Sequence, residues 1–303
     1  MTGKRIQRLS GLMDSEKKLA YLLIAPTFIV LLGVLVYPIL YSLLMSFSRI
    51  DFARRSMDFI GLDNYIAMFK NSYFIHSIGI TGYFAAVTVA VEISLGIAIA
   101  LVLNQKFKFR GFVRGIMILP WALPSVVNAI MWKWIYNPNY GALNGLLTQL
   151  NIIGEYKDWL GEPITALHAI IFANVWKETP YVVLLVLAAL SNISGDLYES
   201  AKIDGANAWQ AFWKVTLPLI KPVVVILVIT KAIWAIQTFE LVYILTGGGP
   251  GGGTEFLSFF IYKTTFKFLQ FGAGASMAYM ITLATFLLTL VYIKYLAKND
   301  QLV

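Results

Sequence analysis

Long apolar runs, parted by short polar stretches, dominate this chain. Six runs are long enough for a helix to cross a bilayer: roughly 19–47, 78–103, 112–135, 164–190, 222–246 and 275–296. A spanning helix needs ~20 mostly apolar residues for a ~30 Å hydrocarbon core. The runs are continuous rather than alternating, so they predict helices and not barrel strands. The first run is too long for a secretory signal and no small-residue cleavage site follows it, so it is expected to be retained as a span.

One stretch breaks the pattern. "YESAKIDGANAWQAFWKVTLPLIKP", residues 198–222, is mixed in polarity and lies between the fourth and fifth runs. Ser194 or Asp196 can cap a short helix over 197–204. Gly205 is placed to end it, because glycine accepts the left-handed conformation of a helix terminus. A second short helix is expected over 206–216, broken by Pro218 and Pro222 on the way into the fifth span. Leu197, Ala201, Trp209, Phe212 and Trp213 are expected on the surfaces of this helix–turn–helix. Two readings stand: a docking site for another protein, or an amphipathic segment on the inner leaflet.

Composition agrees with a membrane protein. Of 303 residues, 58% are hydrophobic and 13% charged, with a mean hydropathy of +0.71. Soluble domains run nearer 45–50% apolar and about 25% charged. There is no cysteine, so disulfides and thiolate metal sites are excluded. The net charge of +8 is better assigned to topology than to nucleic acid. With the N-terminus inside, inner segments carry fourteen Lys and Arg, among them Lys17, Lys106, Arg110, Lys202, Lys214 and Lys294. Outer segments carry seven, including Arg49, Arg54 and Arg55. The bias puts both termini in the cytoplasm. The expected fold class is an all-α integral membrane protein with six transmembrane helices. Residues 1–18 would be a cytoplasmic segment and 19–303 the membrane domain, with the polar loop at about 191–221.

The chain offers no machinery for catalysis. No G-x-x-x-x-G-K-[ST] phosphate loop is present. "GGGPGGGT" at 247–254 is glycine-rich but has no lysine; it is either a plain loop or a contact for an external protein. His76 and His168 are too few and too far apart for a metal site. No catalytic residue, resident cofactor or metal is expected.

Ionisable residues inside the spans remain to be explained. A charge at a helix centre costs ~2.5–3.5 kcal/mol on insertion scales, so such groups face protein or water. Glu92, Lys177, Glu178 and Lys231 all lie mid-span. Lys133 and Glu240 lie nearer the outer ends, within reach of the interface. Asn174, Glu178 and Tyr181 share one helix face, and Lys231, Trp234 and Thr238 share another. Each face puts hydrogen-bonding groups beside an aromatic ring, which suits a sugar. Trp121, between Pro120 and Pro124, is a similar candidate. The competing reading pairs Glu178 with Lys231, or with a partner subunit, to hold helices together. Glu92 is expected to serve packing.

The polar stretch also resembles a known signature. "ESAKIDGANAWQAFWKVTLPLIKP", residues 199–222, looks like the cytoplasmic coupling loop of permease subunits of bacterial ABC importers. The matching positions are Glu199, Ser200, Ala201, Gly205, Val215, Leu217 and Pro218, with Asp204 just before the glycine; Ser200 stands where the pattern favours alanine. "ILPWALPSVVNAIMWKWIYNPNYGALN" (118–144), "NVWKETPYVV" (174–183) and "LTGGGPGGGTEFLSFFIY" (245–262) resemble the carbohydrate-uptake branch, of the maltose-permease type. The likeness covers nearly the whole chain. It implies the type I importer permease fold in a bacterial cytoplasmic membrane, and a transport subunit rather than an enzyme. It implies a second permease, two ATPase subunits that bind ATP and Mg, and an extracytoplasmic solute-binding protein. It further implies that Glu199–Pro218 couples ATP hydrolysis to alternating access with Gly205 as hinge or close-contact point. In maltose-type permeases the two polar helix faces line the central cavity. The expected substrate is a carbohydrate, an oligosaccharide first, with glycerol-3-phosphate as the alternative because Lys231 could meet a phosphate. A scaffold or a lone facilitator is the competing class, and neither has a use for the coupling signature.

Overall fold

A computed structural model describes residues 16–51 and 54–299. The expected cytoplasmic segment at 1–18 therefore lies, up to residue 15, outside the described residues. The chain divides into two compact units, one of residues up to Met68 with Thr264–Tyr279, the other of Phe69–Lys263 with the residues from Met280 on.

In the first unit, α1 (Glu16–Leu31) passes through a wide π-turn at Leu32–Val36 into α2 (Tyr37–Ser46). Together they supply a span over Lys18–Ser46 that is unburied within this chain. Strands β1 (Ser48–Asp51) and β2 (Ser56–Phe59) then form an antiparallel hairpin with Ser48 opposite Phe59. Asn64, in α3 (Asp63–Lys70), donates to the carbonyls of Ser46 and Ser48 at 2.9 and 3.0 Å and pins the hairpin to the helix end.

The second unit holds the packed helices. Helix α4 (Ser72–Asn104) starts where the Asn71 side chain accepts the Tyr73 N–H at 2.9 Å, a standard N-cap. Then follow α5 (Arg110–Ala122), α6 (Ser125–Ile135), α7 (Ala142–Gln149) and α8 (Pro163–Ser191). After α8 come α9 (Gly195–Ile203), α10 (Ala208–Ala211), α11 (Leu217–Ile236), α12 (Glu240–Leu245) and α13 (Leu257–Tyr262). The last helix, α14 (Phe271–Asn299), belongs partly to each unit. Helices α4 and α8 pack along their length. Gly96 makes this possible: a Cβ there would run into the Val182 side chain. Small residues at such crossings let membrane helices approach closely. Two apolar clusters flank the crossing. One centres on Phe84, Phe256 and Ile170, the other on Val182, Val186, Leu227 and Ile220.

Among the described residues, five helices are long and apolar enough to cross a membrane, and a sixth if one bent pair counts as a single span. That pair is the third predicted run, and here the expectation of one straight helix is corrected. Helices α5 and α6 meet at 94°. Pro124 excludes the helical conformation from Leu123, which is extended at φ −72°, ψ 134°. The fifth run is corrected too. Helix α11 ends at Ile236, and a break over 237–239 precedes α12.

The polar stretch forms its two short helices, with changes. Ser194, not Asp196, caps α9 by accepting the Asp196 N–H at 3.3 Å. Asn207 and Gln210 form a reciprocal capping box at the start of α10. Pro218 and Pro222 do not break the chain, contrary to expectation. A π-turn at Phe212–Thr216 widens the backbone just before Pro218, and a helical course runs from Ala208 to Ile236. Such a turn relaxes the register that a missing N–H and the proline ring would otherwise disrupt.

Candidate functional site

Four mid-span charges converge. Lys231 on α11 donates to Glu178 on α8 at 2.7 Å and lies 3.1 Å from Glu92 on α4. The second oxygen of Glu178 takes Lys177 at 2.8 Å. Asn174, one turn before Glu178, donates to Glu92 at 2.9 Å. Lys231 is only 2% exposed and Glu92 1%. Bare charges would not persist at that depth; two carboxylates and two ammoniums compensate one another. Glu92 is thus an ion-pair partner and not merely a packing residue. The proposed pairing of Glu178 with Lys231 is present, and the same residues border a cavity.

That cavity holds about 210 Å³. Glu92, Asn174, Lys177, Glu178, Lys231, Trp234 and Thr238 line it, together with Ser125, Asn128, Gln237 and Glu240. Tyr181 and Trp121 join the group through their rings. Trp121 stacks on Tyr181 at 5.6 Å, and Tyr181 meets Trp234 at 5.1 Å. Lys231 lies 5.0 Å from the centre of the Trp234 ring and 5.8 Å from that of Tyr181. The broken third run contributes at both sides of its bend, with Trp121 on α5 and Ser125 and Asn128 on α6. All seven residues expected along a substrate path are therefore in one neighbourhood. A larger recess of about 570 Å³, lined by residues such as Leu95, Met117, Phe172 and Val175, is apolar and offers a sugar few partners.

Asn128 is a site residue that sequence reasoning misses. It is fully buried, and neither its amide nitrogen nor its amide oxygen has a hydrogen-bond partner among the described residues. A buried amide left without partners costs ~1–3 kcal/mol. The available signal is polarity at one position in an apolar run. Lys133, an exposed residue, donates to the Ile244 carbonyl at 2.8 Å and fastens α6 to α12. Glu240 is exposed and borders the cavity.

The polar stretch is built as a surface. Gly205 has φ +79°. The Ala206 N–H bonds to Ala201 O at 2.9 Å and the Gly205 N–H to Lys202 O at 3.1 Å, the Schellman pattern. A Cβ at Gly205 would meet nothing within 4 Å, so the glycine is required by backbone conformation and not by space. Tyr198 and Thr216 hydroxyls, 3.0 Å apart, tie α9 to the π-turn. Glu199, Ser200, Asp204 and Pro218 are exposed, Ala201 and Leu217 half-buried. Ile203 is 86% exposed, Trp209 68% and Trp213 50%. Trp209, Phe212 and Trp213 form one ring cluster with centroids 5.3–6.2 Å apart.

His168 Nε2 lies 3.0 Å from the Tyr83 hydroxyl, and no group of three His, Cys, Asp or Glu converges among the described residues. The loop at 247–254 is tied down: the Thr254 hydroxyl donates to Gly249 O at 2.6 Å and lies 2.7 Å from that of Thr246.

Comparison with known proteins settles the family. Residues 92–298 match the model of the binding-protein-dependent transport system inner membrane component. The chain belongs to that family. Its relatives include the trehalose/maltose transport system permease protein MalF of Thermococcus litoralis, 38% identical over 94% of this chain and 96% of that one. The sulfoquinovosyl glycerol transport system permease protein SmoG of Agrobacterium fabrum is 33% identical over 98% and 96%. The same fold occurs in a bacterial ABC transporter involved in the import of the acidic polysaccharide alginate, with a TM-score of 0.80 and 24% identity over 95% of this chain and 98% of that one. This permease is a multi-pass inner membrane component and a transport subunit, not an enzyme.

Proposed function

We propose that this permease forms half of the translocation path of an ATP-driven carbohydrate importer. It pairs with a second, related permease, two ATPase subunits that bind ATP and Mg, and an extracytoplasmic solute-binding protein. The observation that carries this reading is the polar cavity of α4, α6, α8 and α11 beside the Trp121–Tyr181–Trp234 ring series. Hydroxyls would bond to Asn174, Thr238 and the neighbouring polar groups, while an apolar sugar face stacks on the rings. Glu178 and Lys231 form the charged wall. Relatives named for trehalose, maltose and sulfoquinovosyl glycerol transport support a glycoside as the substrate class.

The coupling element in this reading is Glu199–Pro218. Its exposed Ile203, Trp209 and Trp213 dock on an ATPase, and its continuity with α11 carries movement of the ATPase pair straight to Lys231 and Trp234. The membrane domain takes six spans, with α5 and α6 counted as the third and both termini cytoplasmic. The test has two parts. A tagged chain is purified from its own membranes in mild detergent, and mass spectrometry identifies what accompanies it. The assembly is then placed in vesicles with ATP and its binding protein, and uptake of labelled glycosides is followed. Co-purification of an ATPase and a second multi-span permease, with ATP-dependent uptake, is expected. Recovery of the chain alone, with glycoside passing without ATP, would make it a facilitator.

A further inference from the structure

The charges in the cavity wall are already spent on one another. Lys231 faces Glu178 at 2.7 Å and Glu92 at 3.1 Å, and Lys177 faces Glu178 at 2.8 Å. The remaining ionisable residue of the lining, Glu240, is exposed and has no ion-pair partner among the described residues. The other polar groups of the wall, Ser125, Asn128, Asn174, Gln237 and Thr238, are neutral. A charged group entering a poorly hydrated site needs a countercharge, and like charges there repel strongly.

We propose that this site admits uncharged saccharides and rejects acidic ones, because among the described residues its lining holds no cation free to meet an anion. The inference rests on the carbohydrate reading above and sharpens it to a substrate class. It runs against the one role that would bring Lys231 to a phosphate: the lysine is enclosed by two carboxylates and two rings, and the lining that this chain supplies carries two ammoniums against three carboxylates. A carboxylate, sulfonate or phosphate on the ligand would have to displace Glu92 or Glu178 from Lys231, leaving Glu92 unpaired or Glu178 with Lys177 alone. A neutral hydroxyl meets no such barrier. Asn128, buried with its amide unused, is the matching neutral group in reserve.

The test separates this site from the selectivity of the binding protein. The assembled transporter, purified without its binding protein, is mixed with maltose, trehalose or a uronic-acid disaccharide, and binding is read by saturation-transfer NMR at fixed ionic strength. At least one neutral disaccharide is expected to bind, with the acidic one at least tenfold weaker. Glu240→Gln, at an exposed position, is expected to narrow that gap about threefold or more, and Glu92→Gln to narrow it further by leaving Lys231 with one counter-ion. Equal or tighter binding of the acidic disaccharide to the unaltered transporter overturns the proposal while leaving the carbohydrate reading standing. Absence of binding by every saccharide, with no ATP-dependent uptake in vesicles, overturns both.

Discussion

Lys231 carries more consequence than any other single residue. Removing it leaves Glu92 without a counter-ion in the core of the helices and Glu178 with Lys177 alone, and breaking a buried pair costs about 3–5 kcal/mol. Lys231→Ala is therefore expected to lower both uptake and the yield of assembled complex. Adding Glu92→Gln, which leaves Glu178 paired with Lys177, is expected to restore the yield, though not the uptake. Detergent thermal melting and size-exclusion profiles check the first, vesicle uptake the second. Gly205 gives a contrasting case. Its surroundings are empty, so bulk is harmless, but φ +79° is not. Gly205→Ala is expected to strain the turn by about 1 kcal/mol and to raise the ATP hydrolysed per sugar moved. An unchanged ratio would detach the turn from coupling. The residue types at both sites are visible in the sequence. That Glu92 joins Glu178 at Lys231 is not, because Glu92 and Lys231 come together only through the packing of α4 on α11.

At the scale of elements, the sequence resolves apolar length well and direction poorly. The fourth run and α8 (Pro163–Ser191) agree to within a residue at each end. The third run reads as one span because hydropathy has no angle in it; only Pro124 marks the place where α5 turns into α6. The converse holds at Pro218 and Pro222, where proline suggests a break and the π-turn prevents one. The bend is directly measurable, since a chain without cysteine accepts label pairs cleanly. Labels at residues 112 and 134 would sit about 33 Å apart on a straight helix and about 23 Å apart at a right angle. Electron-spin distance measurement is expected to give the shorter value, and Pro124→Ala to lengthen it.

Over the whole molecule, the distribution of Lys and Arg remains the guide to orientation. By that rule α9 and α10 are expected inside and the segment before α8 outside. Single cysteines at Glu155 and Ile203, both exposed positions, distinguish the sides. A membrane-impermeant maleimide is expected to label residue 155 in intact cells and residue 203 only after the membrane is opened. The reverse pattern would invert the topology and remove the polar stretch from the reach of any cytoplasmic ATPase. The membrane class and the two polar helix faces are legible from the chain alone; the closure of those faces into one cavity is not, because it depends on residues as far apart as Glu92 and Glu240.

The ion cluster also sets an order on synthesis. Glu92 emerges from the ribosome long before Lys231, which belongs to the penultimate long apolar helix. Until α11 is inserted, Glu92 has only the neutral amide of Asn174 to lean on, and a lone charge at that depth costs ~2.5–3.5 kcal/mol. The nascent protein thus carries a built-in sign of incompleteness, erased when the last third arrives. Chains ending at residue 206 are expected to be degraded faster in a pulse-chase experiment than the same fragment with Glu92→Gln, so that membrane quality control would read the lysine as proof of a finished chain.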